Sequence, residues 1–174
     1  MANTAIVTYF HNSGFTVAVG KTLLVFDYWR GENDALPEAA RLTNADFAAY
    51  EQVLVFVSHD HEDHFDEVIY TWDYEHLPIT YIVADDLPIG KRGKRMKPGE
   101  KLTVCGPDGT EYLCAAEHFT AGEVSLAILS RAPSANEPCI WNIDLKNPLC
   151  SSFCSKKVSE NPLSFAARLS NSRS

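Results

Sequence analysis

The chain predicts a layered α/β fold, and three observations carry that prediction. Residues 5–27 read as three β-rich runs joined by turn residues. Two later runs, "VLVFVS" at 53–58 and "ITYIVAD" at 79–85, are apolar almost without interruption. Such runs are expected of strands covered on both faces. Polar segments with helix-start signals lie between them.

The elements follow in order. "AIVTYF" (5–10) and "FTVAV" (15–19) flank "HNSG", whose residues favour a turn, and "TLLVFD" (22–27) follows "GK". In 30–52, Asn44 is a candidate N-cap for a helix through "ADFAAYEQ". "FDEVIYTWDYEH" (65–76) predicts a short helix, and Asp66 reads as its starting acid. "LPIGKRGKRMKPGEK" (87–101) reads as a basic loop. "KLTVCG" and "TEYLCAA" predict a hairpin around "PDG". "EVSLAIL" (123–129) and "CIWNIDL" (139–145) are the last strand-like runs, and "NPLSFAARLSN" (161–171) has room for a helical turn or two. The composition shifts after Ser130 to Ser, Asn, Pro and Lys. The expected organisation is a domain over 1–130 followed by a divergent, partly disordered tail over 131–174.

A chain of 174 residues can bury a real core. Its net charge of −8 argues against a general nucleic-acid binder. No apolar run approaches a membrane span, and no secretion signal is evident at the N-terminus. Five cysteines without framework spacing read as reduced thiols, so a cytoplasmic location is expected.

The chemistry concentrates in "SHDHEDHFD", residues 58–66, directly after an apolar strand. His59 and His61 are two apart, so extended backbone projects both to one side. Two imidazoles on one side can share a divalent ion. Asp63 and His64 follow where the chain turns, and can face a second ion nearby. Imidazole and carboxylate are ligands zinc accepts. Paired metals can activate water and polarise the bond it attacks. A solvated acidic loop is the bland alternative, and Asp60 and Glu62 at the intervening positions are expected to be exposed.

This stretch resembles the H-x-H-x-D-H signature of the metallo-β-lactamase fold superfamily. "YFHNSGFTVAVGKTLLVFDYW" is similar to that family's opening meander, which ends in an Asp. The buried strand before the motif and "ITYIVADD" after it also agree. The similarity runs from residue 4 to about residue 116 and points toward small bacterial metal-dependent hydrolases. It implies an αββα sandwich whose first half is intact and whose second half is incomplete, the chain being truncated or divergent after about residue 118. It implies a zinc-dependent hydrolase in which metal-bound hydroxide attacks an ester, lactone, amide or phosphodiester. His59 and His61 would hold the first metal. Asp63 and His64 would hold the second, with Asp63 also orienting the water. Asp27 would brace a ligand imidazole from behind.

The family completes its site from the second half of the chain. His118 is the candidate third ligand, with a strand-end surface histidine as the alternative. Asp144 is the candidate bridging carboxylate, with a plain loop acid as the alternative. No histidine follows His118, so the family's late second-metal histidine has no counterpart. Two zinc ions are expected if the site is complete, and one or none if it is not. The rival expectation is therefore a truncated or degenerate, non-catalytic chain. An uncovered sheet face would favour a homo-oligomer. The small-molecule substrate is open. The basic run at 91–97, Cys150 with Cys154, His11 and His76 each read better as surface, turn or loop features than as sites. Trp29, Trp72 and Trp141 read as packing residues.

Overall fold

The structure is a computed structural model that describes residues 5–90, 92–118, 124–131, 139–142 and 166–168. It is a mixed α/β protein with two sheets and few helical turns. Strands β1 (Ala5–His11), β2 (Gly14–Val19) and β3 (Thr22–Phe26) form the expected antiparallel meander. β4 (Gln52–Val57), β5 (Ile79–Ala84) and β6 (Gly93–Met96) then add in parallel. β7 (Lys101–Cys105), β8 (Glu111–His118), β9 (Val124–Arg131) and β10 (Cys139–Asn142) make a four-stranded antiparallel sheet. β11 (Ala166–Arg168) pairs parallel to β1, so the large sheet runs β11-β1-β2-β3-β4-β5-β6.

The central strands β3, β4 and β5 are buried on both faces, which explains their unbroken apolar sequences. One face carries Val25, Val55, Tyr81 and Val83, and packs on Tyr28, Phe47, Ile69 and Trp72 from the short helical turns and loops. The other carries Leu24, Phe26, Leu54, Phe56 and Ile82, and packs on Tyr112, Cys114 and Ala116 of the second sheet. β7 alternates exposed and half-buried residues, as a strand with one solvated face should. Burial in the layer between the sheets pushes the Cys114 thiol up to about 12, so it stays protonated there.

Several local expectations change. The helix after Asn44 is a single turn, Asn44–Phe47, and its N-cap is Thr43. Asp46 Oδ2 accepts from the Thr43 N–H at 2.7 Å and from Thr43 Oγ1 at 2.8 Å. The turn stops there because β4 starts at Gln52 and needs extended chain. The expected helix over 65–76 shrinks to a 3-10 turn, Glu67–Thr71. Its β-branched residues Val68, Ile69 and Thr71 weaken α-helix there. Asp66 caps that turn, accepting from the Val68 N–H at 2.9 Å. Within the expected basic loop, residues 93–96 are instead edge strand β6. Gly93 permits this pairing, because a Cβ there would sit 2.0 Å from the Tyr81 carbonyl oxygen. Lys94 and Arg95 are exposed on this edge, where charge discourages further strand pairing. Near the end of the chain, Ala166–Arg168 is a short strand where helical turns were expected. β10 and β11 lie within the expected tail and pair with β9 and β1.

Arg30 ties the loop after β3 to the segment after β4. Its Nε lies 2.7 Å from Asp66 Oδ2 and its second guanidinium arm 3.0 Å from Oδ1. Burial works against the Asp66 charge, but Arg30 and the N–H groups of Val68 and Arg30 outweigh it and hold the carboxyl below its usual range.

Two stability measurements follow. Phe26 stacks between Phe15 at 4.7 Å and Phe56 at 4.9 Å, so Phe26→Ala should cost about 4 kcal/mol in urea unfolding. A loss under about 1 kcal/mol would contradict this packing. Asp66→Asn should cost about 2–3 kcal/mol at neutral pH. Because the folded pKa is depressed, that contribution is complete above the unfolded value of about 3.9 and fades as pH falls through the folded one. Unfolding curves of the two proteins should therefore converge in acid; a gap that widens there would be the wrong sign.

Candidate functional site

The site forms where β3 and β4 end side by side. Asp27 follows β3 and Ser58 follows β4, and the strands are parallel with Phe26 opposite Phe56. The Asp27 N–H continues the ladder to the Phe56 carbonyl at 3.0 Å. Asp27 then takes a left-handed conformation, φ +40°, which costs energy for a residue with a Cβ. The bend aims its carboxylate across the strand end. Oδ1 accepts from the Ser58 N–H at 2.7 Å, and Oδ2 accepts from Ser58 Oγ at 2.9 Å and His64 Nδ1 at 2.9 Å.

These bonds determine where the imidazole protons sit. A carboxylate only accepts, so His64 keeps its proton on Nδ1. Ser58 Oγ spends its own proton on Asp27 and so accepts from His59 Nδ1 at 2.9 Å. His59 and His64 thereby both carry lone pairs on Nε2. Asp27, Ser58, His59 and His64 are all buried, whereas His61 is exposed and Asp63 lies between. Asp60 and Glu62 are exposed, as expected.

The candidate ligand atoms fall into two pairs. His59 Nε2 and His61 Nδ1 share a hydrogen bond at 3.1 Å, in which His59 Nε2 accepts and His61 Nδ1 donates. His64 Nε2 lies 3.6 Å from Asp63 Oδ2 and is buried without a hydrogen bond. Two donors on one tetrahedral zinc, each about 2.0–2.1 Å from it, stand about 3.3 Å apart. Both separations are close to that value, and nitrogen with carboxylate oxygen is a donor set that zinc accepts. Each pair thus stands at a separation that one ion could bridge. Among the described residues no group of three or more His, Cys, Asp or Glu could hold an ion. Further ligands would have to come from elsewhere. His118 ends β8, but only its backbone is described, and Asp144 lies outside the described residues.

Asp63 is gripped from the β1–β2 turn. Asn12 Nδ2 donates to Asp63 Oδ2 at 2.7 Å, and Ser13 Oγ donates to the Asp63 carbonyl at 2.9 Å. Sequence reasoning missed Asn12, Ser13 and Ser58. Ser58 had a signal, since it is the residue between the buried strand and the first histidine. Asn12 and Ser13 are about fifty positions from their partner and had none. His11 packs against Trp29 with ring centroids 5.1 Å apart. His76 is a surface residue bonded to Asp73 at 2.8 Å, which raises its pKa. Trp72 is a core residue, whereas Lys91, Cys150 and Cys154 lie outside the described residues.

Asp27→Ala should cost more stability than Ser58→Ala. The first strands two donors of Ser58 and one of His64, about 3 kcal/mol, and the second about 1–2 kcal/mol. Chemical denaturation checks the order; equal or reversed losses would mean that Asp27 is not the hub.

No family model matches the chain, and no curated protein matches it. Among solved structures it is similar to a protein from Parabacteroides distasonis provisionally described as a metal-dependent hydrolase, with 13% identity and a TM-score of 0.44. The match covers 69% of this chain and 53% of that one, so the chain spans about half the length of the solved protein. At this level the likeness fixes neither fold nor activity.

Proposed function

We propose that the chain is a zinc-dependent hydrolase of the metallo-β-lactamase fold, acting on an ester, lactone, amide or phosphodiester. The observation that supports this best is the arrangement of donor atoms at the end of β4: two pairs, each at a separation one ion can bridge. In this reading His59 and His61 hold one ion, and Asp63 and His64 the other. His118 and Asp144 complete the set from the later part of the chain.

Zinc in such a site supplies Lewis acidity and makes water a competent nucleophile near neutral pH. The chain's own residues prepare for it. Asp27 holds the His64 proton on Nδ1, and Ser58 does the same for His59, so both rings present Nε2. Asp63 orients the attacking water through its carboxylate. The exposed face of His61 leaves the site open to a small-molecule substrate. A cytoplasmic location and a homo-oligomer that covers sheet surface belong to the same reading. No helix among the described residues is long and apolar enough to cross a membrane.

A second reading is a chain that resembles this family but binds metal weakly or not at all and does no catalysis. It is favoured by one observation, that no three donors converge among the described residues. Elemental mass spectrometry of desalted, zinc-loaded protein separates the two. The hydrolase should retain about two zinc ions per chain, fewer in His61→Ala, and lose about 100-fold or more of its activity in Asp63→Asn. Well under one zinc per chain in the parent protein would establish the second reading.

A further inference from the structure

Residues 91–97 hold five of the chain's 15 lysines and arginines, in a protein whose net charge is −8. Two of the five are arginines on and beside strand β6, Arg92 and Arg95. The four arginines whose side chains are described divide into two kinds. Arg30 spends its guanidinium on Asp66 and Asp34, and Arg41 on Asp34 and the Leu36 carbonyl. Arg92 and Arg95 have no ion pair and no side-chain hydrogen bond among the described residues.

Arg92 is nonetheless held in place. Its guanidinium carbon lies 5.0 Å from the centre of the Tyr70 ring and 5.1 Å from that of Tyr74. Cation–π contact engages the charge and leaves the planar fork of N–H donors without an acceptor. Arg95 comes from the same strand. β6 pairs with β5 so that Gly93 stands opposite Tyr81 and Arg95 opposite Val83. Alternate residues share a face, so Arg95 leaves the strand on the side of Tyr81. Tyr70 packs on Tyr81, with ring centroids 6.3 Å apart. Burial raises the pKa of the Tyr70 hydroxyl; Arg92 and Arg95 pull it down, and Asp60 and Glu67 push it up. Both guanidinium groups therefore bear on one corner, and the two acids near it pair with neither. The Tyr70 ring also lies 5.5 Å from that of Phe65, the residue after His64, so this corner adjoins the histidine motif.

We propose that Arg92 and Arg95 form a binding site for a phosphate dianion, carried as the terminal phosphate of a small-molecule ligand. Two guanidinium charges without an internal counter-ion match an anion of charge about −2 better than a carboxylate or a diester. The arginine fork meets phosphate oxygens in pairs. Tyr70 and Tyr74 hold Arg92 before the ligand arrives, so less side-chain freedom is lost on binding. The site needs no metal and stands apart from the zinc reading.

The test uses the full chain, stripped of metal by dialysis. Inorganic phosphate is titrated in at constant ionic strength and mildly alkaline pH, where it is mostly dianionic. Proton–nitrogen NMR follows the Nε–H signals of both arginines. Both should shift together and saturate. Dimethyl phosphate, a monoanionic diester, should bind about 10-fold more weakly. Arg95→Gln should weaken phosphate about 5-fold or more, the size expected for one charge-assisted contact. Its melting midpoint should not change, because Arg95 is exposed and makes no bond that holds the fold. Arg92→Lys keeps the charge but loses the fork, and should weaken phosphate too. Absence of a saturable shift at either arginine would overturn the proposal. So would an unchanged affinity in Arg95→Gln, or a diester bound as tightly as phosphate, which would reveal only a general positive field.

Discussion

The Asp27 carboxylate is the constraint on which the site depends. It sits at the end of one parallel strand and binds the first residue beyond the next, so it closes the strand end and orients the motif together. Its third bond, to His64, converts a flexible imidazole into one with a defined tautomer and direction. Ser58 passes the same constraint on to His59. Two buried histidines are thus set by one carboxylate and one hydroxyl. The left-handed backbone at Asp27 is the local cost of this arrangement, and the surrounding parallel ladder holds it in place.

Everything beneath the site supplies rigidity. The strands that lead into Asp27 and Ser58 are deeply buried, with Leu24, Val25 and Leu54 all but inaccessible. Their two apolar faces pack on different layers, so neither strand can slide without disrupting two cores. Beyond the motif, the Arg30–Asp66 pair fastens the outgoing chain to the loop after β3. The histidines therefore lie on a short span anchored at both ends. The β1–β2 turn adds a third anchor at Asp63. A site held to within fractions of an ångström needs this kind of support.

The central architecture was legible because its signals are local. Unbroken apolar runs marked β3, β4 and β5, and turn residues marked the meander and the β7–β8 hairpin. The spacing of His59 and His61 foretold that their rings would meet, and Asp27 was placed behind a histidine by resemblance alone. The failures also have physical causes. β6 was hidden because its pairing depends on Gly93 fitting against Tyr81, a contact across a crossover. The helices at 45–52 and 65–76 were overestimated because strand β4 and β-branched residues cut them short. Ser58, Asn12 and Ser13 act through bonds that no sequence window contains. The expected ligand roles of His118 and Asp144 remain proposals, since neither side chain is described.

The central claim is that Asp27 and Ser58 fix the tautomers of His64 and His59. Nitrogen-15 NMR of the imidazole rings in metal-free protein tests it most directly. Both rings should carry a proton on Nδ1, and Asp27→Asn should perturb His64 more than His61. A parent protein in which His59 and His64 carry the proton on Nε2, or exchange freely between both nitrogens, would contradict it.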